Sequence, residues 1–253
     1  MIGCTTRAVE GSNGSQGRRN RGSHLPHIHV HAACPAAGGL TFNQFLILAD
    51  EPMLFHCGHR KQFSNVSAAV AKVLPLDKLR WVSFGHFEAD ECGAMNEWLA
   101  VSPLAEVVHG VVGCRVSIND MADRAPRALS GDDILDLGGR RIRFIDTPHV
   151  PHGWDAGVIF EEETSTLFCG DLFAHGGDCP ALTTSDIVEP STAILRSAFT
   201  VGPTTAPIIR GLARFAPRLL AVMHGSSFTG DTSTAINGLA AHFAARLMAD
   251  MGD

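Results

Sequence analysis

Polar and apolar positions alternate strictly in His27-Ile28-His29-Val30-His31, the two-residue period of a strand. Two longer apolar runs follow, Phe42-Asn43-Gln44-Phe45-Leu46-Ile47-Leu48 and Met53-Leu54-Phe55-His56. The Pro-containing turn Ala49-Asp50-Glu51-Pro52 between them predicts a hairpin. The period then changes. Val66, Ala69, Val70, Val73 and Leu74 recur at helical spacing, with Ser64 as N-cap and Pro75 as stop. Trp81-Val82-Ser83-Phe84 reads as a strand, a helix with Met95, Trp98 and Leu99 inward comes next, and Ala105-Glu106-Val107-Val108 is a short strand. The middle of the chain is β-rich. Asp133 to Leu137 and Arg140 to Ile145 flank a Gly-Gly turn, and Val158-Ile159-Phe160 and Thr166-Leu167-Phe168-Cys169 flank an acidic one. Residues 186 to about 216 read as helical with a break at Gly202-Pro203. Leu219 to Met223 is a buried strand, and Ile236, Leu239, Phe243 and Leu247 mark one face of a last helix.

Composition narrows the class. The chain has 253 residues, 45% of them hydrophobic, enough for one sizeable core. Residues 1 to 24, rich in Gly, Ser, Asn and Arg, are expected to be a flexible tail, and 25 to 253 a single domain. The net charge of −6 and the lack of a basic stripe beyond Arg18, Arg19 and Arg21 argue against nucleic acid as a partner. No run is long and apolar enough for a membrane span, and no signal peptide is visible. Seven cysteines without a CxxC pair suit reduced thiols and a cytoplasmic location. Cys57, Cys92 and Cys169 read either as small buried hydrophobes or as neighbours of a redox site.

The candidate chemistry sits at strand ends. His86-Phe87-Glu88-Ala89-Asp90-Glu91 follows the strand at 81 to 84. In an extended chain His86, Glu88 and Asp90 point to one side, as a metal with a taste for oxygen requires. Three further strings share that design: Asp146-Thr147-Pro148-His149-Val150-Pro151-His152-Gly153-Trp154-Asp155, then Cys169-Gly170-Asp171, then Met223-His224-Gly225. One such string is weak evidence for metal binding, and four in one domain are strong evidence. The alternating histidines at 27, 29 and 31 admit a metal role, but an edge strand with a solvated His face is the simpler reading.

These four strings, in this order, resemble the metallo-β-lactamase superfamily, and the HxExD form of the first resembles its flavodiiron and oxygen-binding diiron branch. The resemblance covers roughly residues 25 to 250 and implies an α/β fold, the four-layer αβ/βα sandwich of metallo-β-lactamase type. It also implies a ligand set: His86, Glu88 and His152 on one iron, Asp90 and His224 on the other, and Asp171 bridging. His152 fits the spacing to Gly170-Asp171 better than His149, which is left as a surface residue or as a partner orienting a ligand. Glu91 stands where the hydrolase form has a histidine. It either ligates, leaves a coordination position open, or caps the next helix from the surface.

Two activities follow from the resemblance. The first is binding, and possible slow reduction, of dioxygen or nitric oxide at two iron ions, as an oxygen-binding or sensing protein. Glu88 supports it, because an added anionic oxygen donor favours iron over zinc. The second is hydrolysis of an ester, thioester or amide at two zinc or manganese ions, with Asp90 as the catalytic orienting base. A degenerate scaffold is the third reading, and the complete ligand set argues against it. The chain ends soon after its last helix, so no flavodoxin domain and no bound flavin are expected. Electrons would then come from a separate donor protein. Homodimerisation is common in the resembled branch but is not visible in this sequence. With no tyrosine in the chain, Trp154, Phe173 or a histidine is expected to line the pocket.

Overall fold

Among the described residues, fourteen short strands sort into two sheets because their apolar faces demand cover on both sides. The computed structural model describes residues 5–9, 28–33, 39–131, 133–177 and 179–252, with backbone alone for 5–9, 28–33 and 195–198. The first sheet holds β1 (Thr5–Val9), β2 (Ile28–Ala33), β3 (Thr41–Ile47), β4 (Met53–Phe55), β5 (Trp81–Ser83), β6 (Glu106–Gly110) and β7 (Arg127–Leu129), in that spatial order. The second contains β8 (Ile134–Asp136), β9 (Arg141–Asp146), β10 (Gly157–Glu161), β11 (Thr166–Phe168), β12 (Leu182–Thr183), β13 (Leu219–Ala221) and β14 (Ser227–Thr229), ordered β12-β14-β13-β11-β10-β9-β8. The first sheet begins with antiparallel pairs and turns parallel from β4–β5, whereas in the second β8 to β11 pair antiparallel, β11–β13 and β12–β14 are parallel and β13–β14 is antiparallel.

Phe45, Phe55, Phe144 and Phe168 fill the space between the sheets, with Trp81 and Ile159. The outer face of the first sheet is covered by α1 (Phe63–Val70), α2 (Ala89–Cys92) and α3 (Met95–Val101), through Val66, Val70, Met95 and Trp98. A helical stretch, α4 (Val111–Gly113), a π-turn and α5 (Asn119–Met121), adds Cys114 and Ile118 to that layer. On the second sheet lie α6 (Val188–Ala198), α7 (Thr205–Gly211) and α8 (Thr232–Gly252), seated through Ile209, Ile236, Leu239 and Phe243. Helices, sheet, sheet, helices: this is the four-layer sandwich expected.

Several expectations change. Within residues 1 to 24, Thr5–Val9 is a strand that pairs antiparallel with β2, and the rest lies outside the described residues. β2 is therefore flanked on both sides and is no edge strand; its backbone groups find partners in β1 as well as β3. His27 lies outside the described residues. Ser64 does not cap α1, which starts one residue earlier after the 3-10 turn Arg60–Gln62. The loop 86–91 does not stay extended. Glu88 keeps extended φ and ψ, but Ala89–Cys92 coils into α2, so the period-two argument fails beyond Glu88. β7, β12 and β14 were not legible, since Arg127-Ala128-Leu129, Leu182-Thr183 and Ser227-Phe228-Thr229 carry no apolar run.

Candidate metal centre

The four strings meet at one rim of the sandwich because each leaves its strand at the same end. β5 delivers His86 and Glu88 and the first turn of α2 delivers Asp90. The turn after β9 delivers His152, the turn after β11 Asp171, and the turn after β13 His224. Ligand atoms of His86, Glu88, His152 and Asp171 all lie within 4.8 Å of one another. His86 Nε2 is 2.7 Å from Glu88 Oε2 and 4.0 Å from Asp171 Oδ2. His152 Nε2 is 2.9 Å from Asp171 Oδ2 and 3.5 Å from Glu88 Oε2. On the other side, His224 Nε2 is 3.2 Å from both Asp90 Oδ2 and Asp171 Oδ1. The two oxygens of Asp171 thus face two different groups.

Electrostatics mark the same place. Burial alone would raise the Asp171 pKa, but the imidazoles of His152 and His224 beside it hold it well below the usual carboxylate range. Burial disfavours charge on His86, yet the Glu91 carboxylate and the Glu88 hydrogen bond push its pKa up to about 12. Burial works the same way on His224, and the neighbouring carboxylates of Asp171 and Asp90 carry it up to about 10. His86 and His224 hold protons that tightly because the carboxylates around them demand positive charge. Asp171 Oδ1 is buried with no well-formed hydrogen bond. That orphaned oxygen and the mixed nitrogen and oxygen donors fit a pair of cations.

Backbone contacts fix the ligands. His224 Nδ1 donates to the Thr41 carbonyl at 2.7 Å, which leaves Nε2 for the site. Asn43 Nδ2 donates to the carbonyls of Val222 and Gly225, both at 2.8 Å, bracing the end of β13. Asp155 Oδ2 accepts from Phe87 N at 2.9 Å, and Gly157 N donates to Gly85 O at 2.8 Å, so the His152 turn and the His86 loop are laced together. Gly153 must be small: at φ 83° an added Cβ would approach the Cβ of His86 to 3.3 Å. An open cleft of about 490 Å³ adjoins the half-exposed Glu88, with Phe87, Cys92 and Met95 in its wall.

Other residues fall differently. His149 is exposed with φ 63°, so it is the surface-loop residue of the two readings. Trp154 is 55% exposed. The aromatic neighbours of the site are Phe199, 4.8 Å from the His152 ring, and Phe42, whose edge meets His224 at 5.2 Å. Glu91 is fully buried, which rules out the surface cap, because its carboxylate turns inward to the backbone of its own loop. Cys57, Cys92 and Cys169 are buried, and burial raises the pKa of all three thiols, as expected of small hydrophobes. Sequence reasoning missed His56, Asp155, His175 and Thr41. His56 carried a usable signal, since it too follows a strand, β4.

Residues 40–195 match the family model described as ODP family beta lactamase. Among curated proteins, the anaerobic nitric oxide reductase flavorubredoxin of Pectobacterium carotovorum is 23% identical over 140 residues, 54% of this chain and 28% of that protein. Among solved structures, rubredoxin oxygen:oxidoreductase from Desulfovibrio gigas superposes with a TM-score of 0.74 at 18% identity, covering 86% of this chain and 60% of that one. A variant of the flavo di-iron protein from Thermotoga maritima gives 0.77 at 15% identity, covering 95% and 61%. The chain spans about a third of the length of the curated relatives it matches first. Among the described residues no helix is long and apolar enough to cross a membrane.

Proposed function

Because the chain belongs to the ODP family beta lactamases, we propose that it is a non-haem diiron protein that binds dioxygen or nitric oxide and takes electrons from a separate donor. His86, Glu88 and His152 would hold one iron, Asp90 and His224 the other, and Asp171 would bridge them. Bound iron would supply reversible one-electron chemistry and open coordination positions for a diatomic gas. The observation that carries the reading is Asp171, whose two oxygens lie 2.9 Å and 3.2 Å from histidines on opposite sides. Glu88 supports iron over zinc as an added anionic oxygen donor. The names of two similar proteins, an oxygen oxidoreductase and a nitric oxide reductase, support the choice of gases.

The chain's own residues would prepare the site in three ways. Thr41 O fixes the His224 tautomer. Asp155 holds the His86 loop against the His152 turn. The rings of Phe42 and Phe199 present apolar surface beside His224 and His152, which suits a small apolar gas better than a polar ester.

Metal analysis of the purified chain, with absorption spectra recorded without oxygen and after air exposure, tests the proposal. About two irons per chain and a near-ultraviolet band that responds to air are expected. Mainly zinc, with no such band, would sink it and favour hydrolysis with Asp90 as orienting base.

A further inference from the structure

Behind the metal loop lies a second layer of buried polar groups. Glu91 and His56 are both fully buried. Glu91 Oε2 accepts from Gly85 N at 2.6 Å and His86 N at 2.8 Å. Its Oε1 lies 3.3 Å from His86 Nδ1 and 3.6 Å from His56 Nε2. His56 Nδ1 is 3.1 Å from the Asn43 carbonyl, which can only accept, so Nδ1 carries a proton and Nε2 is the nitrogen that faces Glu91. Glu91 Oε1 and His56 Nε2 are both buried without a well-formed hydrogen bond. Backbone bonds lock the pair in place: Cys57 N donates to Glu91 O at 2.6 Å and His56 N to Ser83 O at 2.8 Å.

His86 has two nitrogens with different company. Nε2 faces Glu88 and Asp171, and Nδ1 faces Glu91. A metal takes one nitrogen of a neutral imidazole and leaves the proton on the other, which then needs an acceptor. We propose that Glu91 is a positioning residue for His86: it fixes the Nδ1–H tautomer, aims Nε2 at the first metal, and places a buried negative charge behind that ligand. The inference rests on the diiron reading for the role of His86. Gly85 belongs to the same device, since a Cβ there would stand 2.9 Å from Glu91 Oε2 and displace it. A carboxylate behind a ligating imidazole makes it a stronger donor and favours the more oxidised ion.

The test uses the full chain, stripped of metal by chelation and titrated anaerobically with ferrous iron. Glu91→Gln keeps an oxygen for the two backbone donors and removes the charge. It is expected to weaken iron binding by roughly 10- to 100-fold and to shift the midpoint potential of the loaded centre positive. A folded Glu91→Gln protein with the parent's affinity and potential would overturn the proposal. Should that variant fail to fold, the parent answers alone. Nitrogen NMR of ¹⁵N-histidine-labelled parent, loaded with zinc as a diamagnetic probe, should show His86 protonated at Nδ1 and metal-bound through Nε2. The opposite tautomer would overturn the inference. A parent that binds zinc in this tautomer but takes up no iron would instead defeat the diiron reading and leave the positioning role standing.

Discussion

Single residues at the rim set both charge and shape. In the chelator-stripped protein, His86 and His224 hold pKa values raised above 6.5, to about 12 and about 10. A raised histidine contributes stability that is complete below its unfolded pKa and is lost as the pH climbs through the folded one. Asp171 and Glu91 are depressed, so their contribution is present above the ordinary carboxylate range and lost as the pH falls through their lowered folded values. The melting temperature of stripped protein should therefore fall between pH 7 and pH 10. Metal uptake must displace the histidine protons, so iron affinity should rise over the same interval. A melting temperature that rises with pH in stripped protein would contradict the arrangement of charges. Asp171→Asn should abolish binding of at least one iron, as read by metal content, because one of its two oxygens becomes a donor group. Trp154→Ala, at an exposed position, should change stability by no more than about 0.5 kcal/mol and leave metal content intact. As candidates, His86, Glu88, Asp90, Asp171 and His224 were legible from residue type and strand-end position, which are written locally, and His152 was preferred to His149 on the spacing of the family the sequence resembles. His56 and Asp155 were not singled out, because their roles arise from contacts with loops 35 and 68 residues away in the chain.

At the scale of elements, strand length governs what could be read. Hairpins with long apolar runs were plain: β3 with β4, β8 with β9, β10 with β11. Helices α3 and α8 were plain from the spacing of Met95, Trp98 and Leu99 and of Ile236, Leu239 and Phe243. The opening loop was misread in form, since Glu88 serves as the extended N-cap position and Asp90 sits in the first turn of α2. That turn is what sends Asp90 toward His224 and Glu91 inward. The sheets meet through rings such as Phe168, 5.3 Å from Phe45 and 5.6 Å from Phe55. Phe168→Ala should cost about 3–5 kcal/mol in denaturant unfolding. It should also loosen Asp171, three residues on, and lower metal occupancy.

For the whole molecule, the two sheets form one rim to which four separate segments bring donors. If electrons come from a separate donor, reduced protein mixed with air should consume oxygen once per loaded centre and then stop. Continuous uptake without added donor, followed with an oxygen electrode, would contradict this. Local pattern alone determined that the chain alternates strands and helices, that four strand ends carry metal-binding side chains, and that the first has the HxExD form. Periodicity and side-chain chemistry need no knowledge of distant segments. Only the tertiary structure decided which of these groups meet: Asp171 between His152 and His224, His149 on the surface, and Glu91 folded beneath the loop against His56. Those outcomes depend on how the strand ends are brought together across the sandwich, and contacts between residues far apart in the chain leave no local trace in its order of residues.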